Sequence, residues 1–237
     1  MINNYPIVNI YEKNSLKSKL SSQLIYGEKF QILNKKKDWY KIETSYDKYI
    51  GFIKKKKFLD SIKITHKVSS LSANLYSRPE EKFLISTKLP FCSKISVTEI
   101  DKKFYKFGNY WIKKKNVVPI SYKQQIFKDI KMFINVPYKW GGTTFRGLDC
   151  SALVQIFFKF NNLYCPRDTK DQIEYFKKAK KIKKNSIIFW IGHVAVCLSK
   201  TQLIHAYGPK KKVLCMNIKR TFKLIEKTAK LKVIGIR

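Results

Sequence analysis

The stretch Val136-Pro-Tyr-Lys-Trp-Gly-Gly-Thr-Thr-Phe-Arg-Gly-Leu-Asp-Cys-Ser-Ala-Leu-Val-Gln155 sets the reading of the whole chain. Its glycines (Gly141, Gly142, Gly147) are turn residues. They lead to a single cysteine, Cys150, and an apolar, helix-like run follows at once over residues 151–161. The spacing puts a thiol at a helix N-terminus. There the helix dipole and the free backbone N–H groups favour negative charge, so a stabilised thiolate is the expectation. A thiolate nucleophile also needs a base, and the base needs a third group that fixes its ring. Only three histidines exist. Two follow Cys150 in strand-like settings, His193 in Gly-His-Val-Ala-Val and His205 in Leu-Ile-His-Ala. A tight hairpin would bring them side by side, so that a nitrogen of His205 accepts from the His193 ring. Residue types and spacing alone equally suit a buried structural cysteine with two satisfied core histidines.

Outward from this stretch, the segments on either side differ in kind. Residues 1–60 carry short apolar or alternating runs: Ile7-Val-Asn-Ile-Tyr11, Lys29-Phe-Gln-Ile-Leu33, Trp39-Tyr-Lys-Ile42 and Tyr49-Ile-Gly-Phe-Ile53. Lys-rich turns separate them, the pattern of a small all-β barrel. Residues 61–120 repeat the plan with Val68-Ser-Ser-Leu-Ser-Ala-Asn-Leu-Tyr76, Lys94-Ile-Ser-Val-Thr-Glu-Ile100, Phe104-Tyr-Lys-Phe107 and Tyr110-Trp-Ile112. Two tandem β units are expected. Residues 121–135 place Ile126, Ile130, Phe133 and Ile134 at a helical period behind a serine, so a helix is expected there. A third helix is expected after Cys165-Pro-Arg-Asp-Thr-Lys-Asp-Gln172, capped by Asp168 or Thr169. From Ile187 onward the pattern is strands only. Helices followed by antiparallel strands make residues 121–237 an α+β domain.

Composition bounds the rest. Lys and Arg number 50 against 16 Asp and Glu, a net charge of +34. Nearly all of the excess is Lys, with only five Arg, and it is spread along the chain. Phosphate and base recognition draws on Arg forks, so nucleic acid is not expected as a partner. The five cysteines form no CxxC pair and are odd in number, which argues against a disulfide framework or a zinc site. Neither metal nor cofactor is expected. No apolar run reaches the ~18 residues of a membrane span. Met1-Ile-Asn-Asn-Tyr-Pro6 has neither a basic nor an apolar leader region, so a cytoplasmic location is expected.

The motifs also resemble a family. Pro137-Tyr-Lys-Trp-Gly-Gly, Leu148-Asp-Cys-Ser-Ala-Leu-Val, Cys165-Pro-Arg-Asp-Thr-Lys-Asp-Gln, Ile188-Phe-Trp-Ile-Gly-His-Val-Ala and Leu203-Ile-His-Ala resemble the NlpC-type cell-wall cysteine peptidases, in order and spacing. The resemblance covers about residues 121–237 and implies a papain-like fold, helices packed on an antiparallel sheet. It implies Cys150 as nucleophile, His193 as base and His205 as the residue that orients the base. Tyr138 matches a tyrosine that assists the oxyanion. Asp149, Ser151, Arg167, Asp168 and Thr169 match positions that shape the substrate pocket. In the first half, Gln23-Leu-Ile-Tyr-Gly-Glu-Lys-Phe, Trp39-Tyr-Lys-Ile and Asp47-Lys-Tyr-Ile-Gly-Phe-Ile resemble a bacterial SH3-like barrel, and His66-Lys-Val-Ser-Ser-Leu with Trp111-Ile resembles a second copy. Such barrels precede the catalytic domain of γ-D-glutamyl-L-diamino acid endopeptidases.

That arrangement implies a small murein peptide with a free amine as substrate, its amine held by Glu28 and Tyr49, and a role in cell-wall recycling. Hydrolysis of intact wall, or binding of wall or nucleic acid without catalysis, are the competing expectations. His66 is read as structural. Three departures from the family pattern are Ala152 and Asn185-Ser186, where glycine or Gly-Asp is usual, and Thr169, where serine is commoner.

Overall fold

The computed structural model describes Met1–Arg237. The chain divides into two compact units, Met1–Lys123 and Gln124–Arg237.

The first unit holds two β structures. β1 (Ile7–Tyr11), β2 (Leu20–Ile25), β3 (Phe30–Lys36), β4 (Trp39–Thr44) and β5 (Ile50–Lys54) form an antiparallel sheet in the order β2-β1-β5-β4-β3. β1 and β5 alternate as half-buried strands do. Val8 and Ile10 on β1 meet Leu24, Phe30, Ile42, Ile53 and Phe58 in the core. The second structure comprises β6 (His66–Val68), β7 (Ser72–Tyr76), β8 (Leu84–Pro90), β9 (Lys94–Ile95), β10 (Glu99–Ile100), β11 (Phe104–Phe107), β12 (Tyr110–Lys113) and β13 (Val117–Pro119). They form two sheets, β10-β11-β12-β7-β8 and β13-β6-β9.

Two stretches read as single strands each serve both sheets. Residues 68–76 divide between β6 and β7, and residues 94–100 between β9 and β10. The break after Val68 is fixed by hydrogen bonds that turn the chain: Ser69 N–H donates to Asn116 O, and Val68 O accepts from Cys92 N–H. His66, the histidine read as structural, is half-buried, with Nδ1 3.0 Å from the Thr65 hydroxyl.

The second unit is α+β. β14 (Thr143–Thr144) and β15 (Gly147–Leu148) make a small hairpin before α1 (Cys150–Phe160) and α2 (Thr169–Tyr175). β16 (Ile187–Trp190), β17 (His193–Cys197), β18 (Gln202–Tyr207), β19 (Lys212–Asn217) and β20 (Val233–Ile236) form the antiparallel sheet β19-β18-β17-β16-β20. α1 packs on β17 and β18. This sets the start of α1 beside the strands that carry the two histidines.

Two expectations fail in this unit. Residues 121–135 are not a helix but turns around one short 3₁₀ segment, Ile130–Phe133. Phe127, Asp129 and Asn135 have φ of 65°, 62° and 66°, and three left-handed residues in nine cannot sit inside a right-handed helix. Ile130 and Phe133 of the periodic positions are nonetheless buried, and Phe127 and Phe133 both pack against Phe157 of α1. The second failure is α3 (Ile218–Ala229), which interrupts the run of strands. Its signal was present, since Ile218, Phe222, Ile225 and Ala229 recur at helical spacing behind Asn217. The Asn217 side chain caps it by accepting from Arg220 N–H at 3.2 Å.

Candidate active site

The thiol's position follows from its local sequence. Asp149 is the N-cap of α1, and its Oδ1 accepts from Ala152 N–H at 2.9 Å. The glycine turn ahead of it is tight. A Cβ on Gly142 would lie 2.3 Å from Gly147 O, and Gly147 itself has φ +138°. Gly141 N–H donates to Asp149 Oδ2 at 2.9 Å, and Asp149 N–H to Gly142 O at 3.2 Å. Cys150 therefore begins α1 in a fixed frame, 5 % exposed.

Opposite it, β16 and β17 are joined by the two-residue turn Ile191-Gly192, in which Gly192 has φ +70°. The Cys150 thiol donates to Gly192 O at 3.9 Å. The backbone N–H groups of Val194 and Ser151 point at its sulfur. The sulfur thus lies against the segment that carries His193. His205 sits on the neighbouring strand, and His193 Nε2 is 2.9 Å from His205 Nδ1. Cys150, His193 and His205 are brought together as the motif spacing required.

Burial opposes the helix-start stabilisation expected of this thiolate. Desolvation pushes the Cys150 thiol up to about 12, and the nearby Asp149 carboxylate adds to the rise. The Val194 and Ser151 N–H groups and Arg167 oppose it without winning. Desolvation likewise lowers His193 to about 3, helped by His205, and lowers His205 to about 4. Burial thus favours the neutral thiol and the neutral imidazoles. The helix N-terminus is outweighed because the sulfur is dry.

Neutral rings must share protons in one order if His193 is to act as base. His193 Nε2–H donates to His205 Nδ1, which frees His193 Nδ1 to accept. His205 then carries its own proton on Nε2, a buried nitrogen without a hydrogen-bond partner.

Around this centre, Asp149, Ser151 and Arg167 form a buried network. Arg167 grips Asp149 with two bonds, Nη1 to Oδ1 at 3.0 Å and Nη2 to Oδ2 at 2.7 Å. Nη1 also donates to Ser151 Oγ at 2.8 Å, and Ser151 Oγ–H donates to Asp149 Oδ1 at 3.1 Å. The ion-paired side chains are 2 % and 9 % exposed. These bonds tie the three groups to one another, to the start of α1 and to the glycine turn at Gly141.

Asp168 and Thr169 begin α2, both half-buried. The Asp168 carboxylate makes no capping bond, and burial raises its pKa. Tyr138 N–H donates to Lys211 O at 2.9 Å, and the tyrosine ring lies 3.4 Å from where a Cβ on Gly208 would stand. Burial, with Cys150 next, pushes its hydroxyl well above the usual range, so it stays protonated.

Glu28 and Tyr49 belong to the first unit. Glu28 is buried and its Oε2 accepts from Ile25 N–H at 2.8 Å, while Tyr49 is half-buried with its N–H on Thr44 Oγ1 at 2.9 Å.

Sequence reasoning passed over three residues here. Gln172 is fully buried, and its Nε2 donates to Ser151 O and Pro166 O at 3.0 and 2.9 Å, which ties α2 to the first turn of α1. Trp190 and Tyr207 flank His193, with ring centroids 5.5 and 5.3 Å away. Both aromatics read as ordinary core residues in a strand, and nothing local marks them.

A cysteine at a helix start, a histidine pair on adjacent antiparallel strands and helices packed on that sheet are the arrangement of a papain-like cysteine peptidase domain. Comparison with known proteins gives that class a narrower place. Residues 135–228 match the NlpC/P60 family and residues 10–58 match the bacterial dipeptidyl-peptidase Sh3 domain, so the chain carries an NlpC/P60 domain behind an SH3-like one. It is 24% identical over 232 residues to a Bacillus subtilis protein named gamma-D-glutamyl-L-lysine dipeptidyl-peptidase, covering 85% of this chain and 77% of that one. It is 24% identical to dipeptidyl-peptidase 6 of Lysinibacillus sphaericus, covering 84% of each. The crystal structure of an NlpC/P60 family protein from Bacillus cereus matches the fold with a TM-score of 0.85. That match covers 100% of this chain and 98% of that one at 18% identity. No helix of the chain is long and apolar enough to cross a membrane.

Proposed function

We propose that the chain is a cysteine peptidase that hydrolyses the γ-D-glutamyl–diamino acid bond of small murein peptides. The observation that carries the reading is the line of groups from the Cys150 thiol, seated against Gly192–Val194, through His193 to His205 Nδ1 at 2.9 Å. The names of the relatives support the bond and the substrate class.

The chemistry runs from neutral to neutral. Cys150 Sγ attacks the γ-carbonyl carbon of D-Glu while its proton passes to His193 Nδ1. Neither charged partner is stable alone in the dry site, so transfer and attack are coupled. The imidazolium donates its Nε2–H to His205, a neutral acceptor that adds no charge. The developing oxyanion takes hydrogen bonds from the free N–H groups of the first turn of α1 and from the protonated Tyr138 hydroxyl. His193 then gives its proton to the leaving amine of the diamino acid. The L-Ala-γ-D-Glu portion remains on sulfur as a thioester. Water, deprotonated by His193, attacks that thioester and regenerates the thiol.

Asp149, Arg167 and Ser151 hold the nucleophile in place. Asp168 and Thr169 are the half-buried polar groups that face the substrate. Restriction to short free peptides fits a role in recycling wall fragments inside the cell.

The test is incubation of purified protein with L-Ala-γ-D-Glu-diaminopimelate and its lysine counterpart, with release of L-Ala-D-Glu read by mass spectrometry. The wild type should cleave and Cys150→Ala should not. Unchanged cleavage by the variant would sink the enzyme reading. Faster release from intact sacculi than from free tripeptide would overturn the short-peptide reading.

A further inference from the structure

His193 must stay in register with two different atoms during a turnover, the thiol and the leaving amine. The structure encloses it in aromatic rings instead of ionic partners. Tyr207 ends β18, two residues after His205 and therefore on the same face of the sheet. Its ring stacks on His205 at 5.0 Å with planes 16° apart, and lies 5.3 Å from His193. It is 3 % exposed. Trp190, paired across the hairpin with His193, closes on that ring at 5.5 Å.

Both aromatics are anchored to the same helix. Trp190 meets Phe222 of α3 edge-on at 5.7 Å. The Tyr207 hydroxyl bonds the Thr228 hydroxyl of α3, and Thr228 Oγ1–H donates to Leu224 O at 2.7 Å. Thr228 Oγ1–H is thereby committed to Leu224, so the tyrosine is the donor to Thr228.

We infer that Tyr207 is a positioning residue for the histidine pair, and that its hydroxyl bond to Thr228 makes α3 the rigid support of the catalytic base. The inference rests on Cys150 and His193 as nucleophile and base. The stack holds His205 in the plane that keeps Nδ1 on His193 Nε2. The hydroxyl bond stops the tyrosine ring from turning away from the stack. The ionisable groups that face His193 are Cys150 from α1, His205 and Tyr207 from β18; from α3, Phe222 and Thr228 contact the two aromatics, and Ile218 and Ile225 join their apolar cluster. The geometry of the support, not an added charge, is what α3 supplies.

The experiment uses the full chain and the variants Tyr207→Phe, Thr228→Val and both together. Tyr207→Phe keeps the ring and removes only the hydroxyl bond; Thr228→Val removes the same bond from the other side. Two readouts are needed: kcat and KM on the tripeptide, and the rate of Cys150 alkylation by iodoacetamide across pH, which needs no substrate. The expected result is a fall in kcat of about 10-fold with KM unchanged, since small misplacements of a reacting group are costly. The alkylation profile should move in the same direction for both single variants, and the double variant should be no worse than either.

Wild-type kcat and alkylation in Tyr207→Phe would overturn the inference. So would a loss that disappears when the assay is run well below the variant's melting temperature, because that pattern marks a merely structural residue. If Cys150→Ala keeps its activity, the enzyme reading fails first, and that failure is separate from this one.

Discussion

Arg167→Met tests how the nucleophile is held. The substitution keeps much of the side-chain volume and removes a guanidinium that makes three bonds, two to Asp149 and one to Ser151. It strands a carboxylate whose side chain is 9 % exposed. Breaking a buried pair from one side costs about 3–5 kcal/mol. Three donors remain on Asp149 (Gly141 N–H, Ala152 N–H and the Ser151 hydroxyl), which places the loss near the low end, about 3 kcal/mol. For a domain of the second unit's size, each kcal/mol moves Tm by roughly 4 °C, so a drop of about 12 °C is expected. Calorimetry of the full chain should show it in one transition, that of the unit holding the pair. Asp149→Asn combined with Arg167→Met removes both charges, and the double variant should be more stable than the sum of the single losses by about 2 kcal/mol or more. A single variant within ~0.5 kcal/mol of wild type, or strict additivity in the double, would refute the account of the network as a buried, mutually dependent pair.

Three further outcomes are expected. The second unit should lose stability on acidification. His193 and His205 are held near 3 and 4 against an ordinary 6.5, so below about pH 6.5 the unfolded chain binds protons that the folded chain refuses. Urea titrations should show a loss of roughly 3 kcal/mol between pH 7 and pH 5, and His205→Gln should flatten that slope by about half. A slope unchanged by the variant would show that the histidines do not carry it. Gly142→Ala drives a methyl to 2.3 Å from Gly147 O and dislodges the acceptor of Asp149 N–H. It should cost about 1–3 kcal/mol and abolish peptide cleavage; a fully active variant would mean that the turn does not set the thiol. Nitrogen-15 NMR at pH 7 should find His193 protonated at Nε2 and bare at Nδ1; a proton on Nδ1 would remove it as the acceptor of the thiol proton.

Much of the fold was legible because it is written locally. The five strands β16–β20 of the second unit's sheet, the helix behind Cys150 and the helix behind Asp168 each follow from period and caps within a dozen residues. The failures have physical causes. Residues 121–135 have a helical apolar period, yet Phe127, Asp129 and Asn135 take left-handed backbone, and the apolar side chains reach the core from turns. α3 was hidden among strands although Ile218, Phe222 and Ile225 mark its buried face. Runs 68–76 and 94–100 look continuous, but each bends between two sheets, which only the partner strands impose.

The sequence by itself determined the chemical inventory: one cysteine at a helix start, two histidines on neighbouring strands, and the glycine turn that seats them. These depend on dihedral preferences and side-chain period, which are properties of short segments. Tertiary structure decided the state of those groups. The helix start alone predicts a thiolate, but the packed site is dry, and desolvation outweighs the dipole and the two N–H groups on sulfur. It also decided that Asp149, Ser151 and Arg167 bond one another, and that Trp190 and Tyr207 are braced by a helix which begins well after them in the chain. Burial and ring packing are sums over residues far apart in sequence, so no local pattern encodes them.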